Sequence, residues 1–329
     1  MAYSSHPMLP AKDRLTLCFA HVAYRLQECF LPRQTGIGSF EVRSLDELQQ
    51  RLPEADVLVV SGLWRNTLLE RAPRLSFIQS ISAGVDQYDA AALKIRGIRL
   101  ASAQGANEKA VAEHAMALIL ALTRRLLEAR DNQTQHRWRG MMSDFARRED
   151  ELGGKTLLIV GFGRIGQRLG KLARAFDLRV IGVRRNAAAG GDSADAVHTI
   201  AHLSALLPQA DIVALTCPLT PETQGLIGTS ALAAMKRGAL LINVARGRCV
   251  DEPALIAALN KGKLAGAGLD CFVEEPLPAE SPLWNFPHVL ITPHAAGETR
   301  RYEDNVLDLL MENLDRLWGN RLPLKNQIV

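Results

Sequence analysis

Short and almost uninterrupted apolar runs alternate along this chain with longer stretches of helical periodicity. The runs, rich in valine, isoleucine and leucine, occupy residues 15–19, 57–60, 75–81, 156–160, 179–183, 212–215 and 239–244. A strand that is apolar at consecutive positions needs both of its faces covered, which is typical of parallel sheets flanked by helices. The sequence therefore predicts an α/β fold.

The chain is too long for a single domain of ordinary size. Its 329 residues exceed the usual range of roughly 100–200 residues per domain. The composition, with 47% hydrophobic and 22% charged residues, is that of a folded globular protein. Two segments are similar, LPEADVLVV at 52–60 and LPQADIVAL at 207–215. They indicate either a duplicated unit or the proline, alanine and aspartate residues that commonly precede a buried strand in α/β proteins. In both cases we predict two doubly wound parallel-sheet domains.

Charge and cysteine content exclude several classes of partner. The 39 basic and 35 acidic residues give a formal net charge of +4, too small to indicate binding to nucleic acid or to an anionic membrane. The sequence contains neither a secretory signal pattern nor an apolar stretch long enough to span a membrane. The cysteines are scattered, which predicts neither a disulfide framework nor a metal site: they are Cys18, Cys29, Cys217, Cys249 and Cys271. We therefore expect a cytoplasmic protein.

The most specific local signal is the segment VGFGRIGQRLG, which completes the predicted strand 156–160 and leads into a helix. In this context Gly161 permits a tight turn, Gly163 lets backbone N–H groups approach a pyrophosphate, and Gly166 allows close packing of the helix on the strand. The N-terminus of the helix, with Arg164 and Ile165 in its first turn, adds partial positive charge. The segment therefore predicts a dinucleotide-binding site.

The residues after the next strand indicate which dinucleotide is bound. Strand 179–183 is followed by Arg184 and Arg185, where an acidic residue commonly binds the adenosine ribose. A carboxylate there would repel a 2′-phosphate, whereas two guanidinium groups attract it through charge-assisted hydrogen bonds. We therefore predict NADP(H) in preference to NAD(H). The alternative is that both arginines are solvated and that Asp192 or Asp195 reaches the ribose.

Polar residues follow three further predicted strands, at the strand ends where α/β proteins place their sites. They are Arg246 in NVARGRCVDEPAL, Asp270, Glu274 and Glu275 in LDCFVEEPLP, and His294 in VLITPHAAG. Together with SISAGVDQYD, VAEHAMALILAL, VGFGRIGQRLG and CPLTPETQGLIG, these segments closely resemble the D-2-hydroxyacid dehydrogenase family. Members of that family interconvert 2-keto acids and (R)-2-hydroxy acids with NAD(P). The resemblance extends over most of the chain.

The resemblance implies that His294 is the general acid and base, Glu275 its carboxylate partner and Arg246 the cation that holds the substrate. The chemistry of these residue types agrees with those roles. An imidazolium can protonate the oxygen of a ketone during reduction, and a neighbouring carboxylate favours the protonated ring. A planar guanidinium can bind a carboxylate or carbonyl oxygen and stabilise a developing alkoxide.

The resemblance implies further contacts with substrate and cofactor. The main-chain amides of Ala83 and Gly84, in SAGVD, would receive the substrate carboxylate. Asp270 would lie near the nicotinamide carboxamide, and Cys217 and Pro218 would lie beside the adenosine half of the cofactor.

The substrate is less closely defined by the resemblance. Trp64 stands where phosphate-specific relatives carry a cation, which would place it at the variable group of a non-phosphorylated substrate. The alternative is that Trp64 packs in the core and that neighbouring Arg65 reaches a phosphate. Glyoxylate and hydroxypyruvate are the expected substrates, and larger 2-keto acids remain open.

The resemblance also implies the domain arrangement, a Rossmann cofactor domain (105–297) inserted into a flavodoxin-like substrate domain (1–104 and 298–329). One long helix is predicted over residues 108–131, and with the loop after it this helix is a candidate for a homodimer contact. The alternative to an enzyme is a dinucleotide-sensing regulatory protein of the corepressor type, against which the complete set of Arg246, Glu275 and His294 argues.

Overall fold

The computed structural model describes residues 9–189 and 191–329, which form two compact units. Unit 1 is the described part of Met1–Asn107 together with Thr299–Val329, and unit 2 is the described part of Glu108–Glu298. The strands are β1 (Thr16–Ala20), β2 (Gly38–Val42), β3 (Val57–Val60), β4 (Phe77–Ser80), β5 (Arg99–Ala101), β6 (Thr156–Val160), β7 (Arg179–Val183), β8 (Ala196–His198), β9 (Ile212–Leu215), β10 (Ala239–Asn243), β11 (Leu264–Leu269) and β12 (Val289–Ile291). The helices are α1 (Leu26–Phe30), α2 (Leu45–Arg51), α3 (Ala90–Ile95), α4 (Glu108–Thr123), α5 (Leu126–Thr134), α6 (Arg164–Arg174), α7 (Leu203–Leu206), α8 (Thr229–Ala234), α9 (Glu252–Asn260) and α10 (Tyr302–Trp318). Within the described ranges, none of these helices has both the length and the apolar character needed to cross a membrane.

Unit 1 is built on a five-stranded parallel sheet with the strand order β2-β1-β3-β4-β5. Alternate residues of β1 supply opposite faces of the sheet. Leu17 and Phe19 pack in a cluster with Val306 and Leu310 of α10, whereas Cys18 packs in a second cluster. This order is the flavodoxin-like one, so the predicted parallel α/β architecture is confirmed for unit 1.

Unit 2 is built on a seven-stranded parallel sheet with the order β12-β11-β10-β9-β6-β7-β8. The runs predicted at 156–160, 179–183 and 212–215 coincide with β6, β7 and β9. Buried apolar clusters cover both faces of the sheet. The strand order reverses between β6 and β9, as in the Rossmann fold, which is therefore confirmed. In such sheets, ligands bind outside the carboxyl ends of the strands around the reversal.

The helix predicted over residues 108–131 is instead two helices. α4 ends at Thr123, and Arg124 and Arg125 separate it from α5. Arg125 has a φ of 52°, a left-handed conformation that cannot continue a right-handed helix. The break is held from outside the helices, because the N–H of Asp150 donates to the carbonyl of Thr123 at 3.0 Å and the Arg124 guanidinium donates to the carbonyl of Asp150 at 3.2 Å. The prediction of one helix was wrong because tertiary hydrogen bonds prevailed over local periodicity.

Candidate active site

Three side chains with acid–base or cationic chemistry follow three adjacent strands of unit 2. β10, β11 and β12 are neighbours in the sheet, and Arg246, Glu275 and His294 come after them in that order. Because parallel strands end at one edge, the three residues share the carboxyl edge of the sheet.

The His294 imidazole and the Glu275 carboxylate are hydrogen bonded, with 2.8 Å between Nδ1 and Oε2. The other carboxylate oxygen, Oε1, accepts the backbone N–H of Phe272 at 2.9 Å, which fixes the orientation of the carboxylate. An ionised carboxylate can only accept hydrogen bonds, so Nδ1 of His294 carries a proton. Nε2 is therefore the ring atom that changes its protonation.

Each member of this pair favours the charged form of the other. The hydrogen bond that His294 donates to Glu275 raises the pKa of His294 above its usual value, against the opposing effects of burial and of the positive charge of Arg246. Burial alone would raise the pKa of Glu275, but hydrogen bonds from His294 and from the Phe272 N–H hold this pKa below its usual value. Imidazolium and carboxylate therefore coexist over a wider pH range than they would as isolated side chains.

The loop that carries Arg246 is fixed by its own neighbours. The side chain of Asn243, 1% exposed at the end of β10, donates to the carbonyl of Arg246 at 3.0 Å. A Cβ on Gly247 would lie 1.8 Å from the carbonyl carbon of Phe272, so only glycine permits this approach to the segment that carries Glu275. The two loops are packed backbone against backbone, and the positions of the cation and the carboxylate depend on each other.

The backbone at His294 has a left-handed conformation, with a φ of 54°. This conformation costs a non-glycine residue about 1–2 kcal/mol. The carboxylate of Asp270, a residue that is 2% exposed, holds the loop, because Oδ1 accepts the N–H of Ala295 at 2.9 Å and Oδ2 accepts the N–H of Ala296 at 3.0 Å. The hydroxyl of Thr292 donates to Oδ1 at 2.6 Å. Asp270, which the motif resemblance places near the nicotinamide, thus also holds the loop that presents His294.

Three residues of this arrangement were not predicted from the sequence: Thr292, His114 and Asn243. Nε2 of His114 lies 3.0 Å from Oγ1 of Thr292 and 3.7 Å from Oδ1 of Asp270. His114 lies in a segment of helical periodicity, and no local pattern connects that helix to a loop 178 positions later. Asn243 could have been identified from the sequence, because a single amide side chain at the end of an otherwise apolar strand needs a specific hydrogen-bond partner.

The glycine-rich segment forms a turn between β6 and α6. Gly161 has a φ of 100°, and a Cβ there would lie 2.3 Å from the backbone nitrogen of Cys217, so both conformation and space exclude a side chain. Gly163 precedes the first turn of α6 without a side-chain cap, and Gly166 lies against the carbonyl oxygen of Gly161. The first N–H groups of a helix have no partner within the helix, so this end suits an anion. The turn therefore fits the pyrophosphate of a dinucleotide.

The remaining residues predicted to bind the cofactor lie at the same edge of the unit 2 sheet. Arg164 and Ile165 form the start of α6. Arg184 and Arg185 follow β7, the first half-buried and the second exposed, and Pro218 is exposed after β9. The structure thus gathers the predicted cofactor residues along one edge, and their contact with a dinucleotide stays a prediction.

The residues predicted to bind substrate from unit 1 have two different environments. Ala83 and Gly84 follow β4 and are partly exposed. Trp64 is 1% exposed, packs 5.6 Å from the ring of Tyr88 and donates from Nε1 to Asn66 at 2.9 Å. This burial corresponds to the packing alternative for Trp64 and gives no support to a contact between its side chain and a substrate.

Comparisons with known proteins agree with the motifs and the fold. The family model described as D-isomer specific 2-hydroxyacid dehydrogenase, NAD binding domain, matches residues 116–296. The chain is 37% identical to glyoxylate/hydroxypyruvate reductase B of Yersinia enterocolitica, over 86% of this chain and 88% of the relative. It is 34% identical to glyoxylate reductase of Korarchaeum cryptofilum, over 85% of each. A solved structure of a D-isomer specific 2-hydroxyacid dehydrogenase family protein from Aeromonas salmonicida has a TM-score of 0.83 and 30% identity, over 96% of this chain and 99% of that one. The chain therefore belongs to the D-2-hydroxyacid dehydrogenases, NAD(P)-dependent oxidoreductases that act on CH–OH donors.

Proposed function

We propose that this chain reduces a small 2-keto acid to the corresponding 2-hydroxy acid, of (R) configuration where the reduced carbon becomes a stereocentre, with glyoxylate or hydroxypyruvate as substrate and NADPH as the preferred reductant. The observation that carries the proposal is the 2.8 Å hydrogen bond between Nδ1 of His294 and Oε2 of Glu275. The similarity to a glyoxylate/hydroxypyruvate reductase and to a glyoxylate reductase supports the choice of substrate.

His294 supplies and removes the proton. The reduced nicotinamide, when bound, supplies the hydride to the carbonyl carbon. Protonated His294 donates from Nε2 to the carbonyl oxygen during reduction, and the neutral ring accepts that proton in the reverse direction. Glu275 orients the ring through Nδ1 and favours the imidazolium, so the proton donor is populated in the direction of reduction.

Arg246 binds the substrate and stabilises charge. Its planar guanidinium can donate two parallel hydrogen bonds to the substrate carboxylate or carbonyl oxygen, which a lysine could not do. As negative charge develops on that oxygen, the guanidinium and the imidazolium both stabilise it. The main-chain amides of Ala83 and Gly84 are the proposed second contact for the carboxylate, because small residues allow close approach.

Arg184 and Arg185 are the proposed ligands of the 2′-phosphate. Their position at the end of β7 supports this role. The carboxylate of Asp195 is engaged elsewhere, because its Oδ2 accepts the N–H of Val180, near the other end of β7, at 2.7 Å. That contact disfavours the alternative in which Asp195 turns toward the ribose.

The test is the steady-state oxidation of NADPH and NADH, followed by the absorbance of the reduced nicotinamide, with glyoxylate, hydroxypyruvate, pyruvate and larger 2-keto acids. We expect the highest kcat/KM with NADPH and with glyoxylate or hydroxypyruvate. A higher kcat/KM with NADH would contradict the cofactor preference, and turnover of larger 2-keto acids alone would contradict the substrate. Tight dinucleotide binding without turnover of any 2-keto acid would favour the dinucleotide-sensing regulatory protein.

We also propose that unit 1 binds the substrate carboxylate, that unit 2 binds the dinucleotide and that the protein is a homodimer. Support for the dimer comes from the segment after α5, where Trp138, Met141 and Phe145 are 97%, 105% and 81% exposed. Phe145 also lines a cavity of about 630 Å³ in unit 2. Several exposed apolar side chains in one segment favour an interface when they form a continuous surface. Light scattering coupled to size-exclusion chromatography should give the mass of two chains.

The five free cysteines support a cytoplasmic location.

A further inference from the structure

We propose that His114 is a positioning residue for proton transfer, acting on His294 through Thr292 and Asp270; this inference rests on the function proposed above. His114 lies on α4, away in sequence from the loops that carry the acid–base pair. Its side chain is 25% exposed and that of Asp270 is 2% exposed, so the contact between them is largely shielded from water.

The direction of the hydrogen bonds in this cluster follows from the number of protons available. Thr292 has a single hydroxyl proton, which it donates to Oδ1 of Asp270 at 2.6 Å, because an ionised carboxylate can only accept. The bond of 3.0 Å between His114 and Thr292 must then be donated by Nε2–H of His114 to Oγ1. By donating to Oγ1, His114 therefore orients the Thr292 hydroxyl so that its proton points to Asp270.

The same carboxylate fixes both sides of His294. On the N-terminal side, Asp270 binds the hydroxyl of Thr292, and the carbonyl of Thr292 accepts the N–H of His294 at 3.0 Å. On the C-terminal side, Asp270 binds the next two backbone N–H groups. The left-handed conformation of His294 is thus maintained by a chain of hydrogen bonds that begins at His114.

Removal of the His114 imidazole should leave the Thr292 oxygen without its donor and allow the hydroxyl to rotate away from Asp270. The loop then holds His294 less firmly against Glu275, and a smaller fraction of molecules presents Nε2 correctly. Proton transfer should be slowed, whereas the glycine turn after β6 is unchanged. We therefore expect a lower kcat with an unchanged KM for the dinucleotide.

The kinetic test compares His114→Ala, Thr292→Val and the double variant. We expect each single variant to lower kcat about fivefold, the effect of one hydrogen bond, and the double variant to be no slower than the worse single variant. His114→Gln, which retains an N–H donor, should restore most of the activity. His202→Ala is the matched control, because His202 is an exposed residue paired with a different threonine, Thr199, at 3.1 Å. An unchanged kcat in His114→Ala, or fully multiplicative losses in the double variant, would overturn the proposal.

A second measurement does not depend on turnover. The pKa of His294 is followed by NMR of isotope-labelled histidine, with its signal identified by its loss in His294→Ala. The charged groups that act on His294 are Glu275, Arg246 and Asp270, and all three are retained in His114→Ala. We expect a lower pKa of His294 in that variant, because the ring is held less well against Glu275, and no change in His202→Ala. An unchanged pKa would refute the coupling even if kcat fell. If the wild-type protein reduced no 2-keto acid, the proposed function would fail, and this titration would still decide the role of His114.

Discussion

Replacement of Glu275 by glutamine should change the pH dependence of reduction more than its maximal rate. Glutamine retains an oxygen that can accept from Nδ1 of His294 and removes only the charge. An opposite charge 2.8 Å away stabilises the imidazolium by about 1.5 kcal/mol at the dielectric constant of water. The value for water is appropriate because the side chains of His294 and Glu275 are 43% and 37% exposed, so solvent screens the pair. This energy corresponds to a roughly tenfold loss of the protonated form at pH values where the imidazolium is the minor species.

The sign of the effect follows from the reaction. In the proposed mechanism reduction requires protonated His294, so the reaction is fast at low pH and slows as the pH rises through the pKa of His294. Because Glu275 raises that pKa, Glu275→Gln should move the loss of activity to lower pH. The measurement is kcat for keto-acid reduction from pH 5 to 9, a range of about two units on each side of neutrality. Glu274→Gln, which removes the adjacent exposed carboxylate, is the matched control and should keep the wild-type profile. If Glu275→Gln lost activity equally at every pH, or kept the wild-type profile, the electrostatic argument would be refuted.

Three other variants address the proposed proton donor, the cofactor preference and the packing of the loops. His294→Ala should lower kcat about 10²–10⁴-fold, the usual contribution of a positioned acid–base group, with little change in the Kd for NADPH measured by fluorescence titration. Combined Arg184→Ala and Arg185→Ala should raise the KM for NADPH about tenfold or more and leave the KM for NADH nearly unchanged; parallel changes would contradict phosphate recognition. Gly247→Ala should lower the free energy of unfolding by about 1–3 kcal/mol in urea, because its Cβ would overlap the neighbouring backbone. Gly62→Ala, where a Cβ meets no atom within 4 Å, is the control and should be close to neutral.

The predictability of this fold differs from one element to the next for physical reasons. The strands at 156–160 and 179–183 were predicted to the residue, because a strand covered on both faces is an uninterrupted apolar run. The break after Thr123 was not predicted, because it depends on hydrogen bonds to Asp150 that leave no trace in the local pattern. The apolar periodicity continues through the break and so indicated one helix.

The same distinction applies to the candidate site. The residues that follow strand ends, such as Arg246 and His294, could be predicted to share one edge because the order of elements determines where strands end. The contact of His114 with Thr292 could not, since it joins a helix and a loop that are far apart in sequence. For Trp64, the sequence allowed both core packing and a place beside the substrate, and its burial depends on tertiary contacts that no local pattern shows.

Arg246, Glu275 and His294 all belong to unit 2, and the hydrogen bonds from Asn243 to the Arg246 carbonyl, from the Phe272 N–H to Glu275 and between His294 and Glu275 are made within that unit. We therefore expect substitutions in unit 1 to leave these hydrogen bonds in place. If unit 1 binds the substrate carboxylate as proposed, substrate range can evolve, or be engineered, in that unit while the acid–base pair of unit 2 is kept.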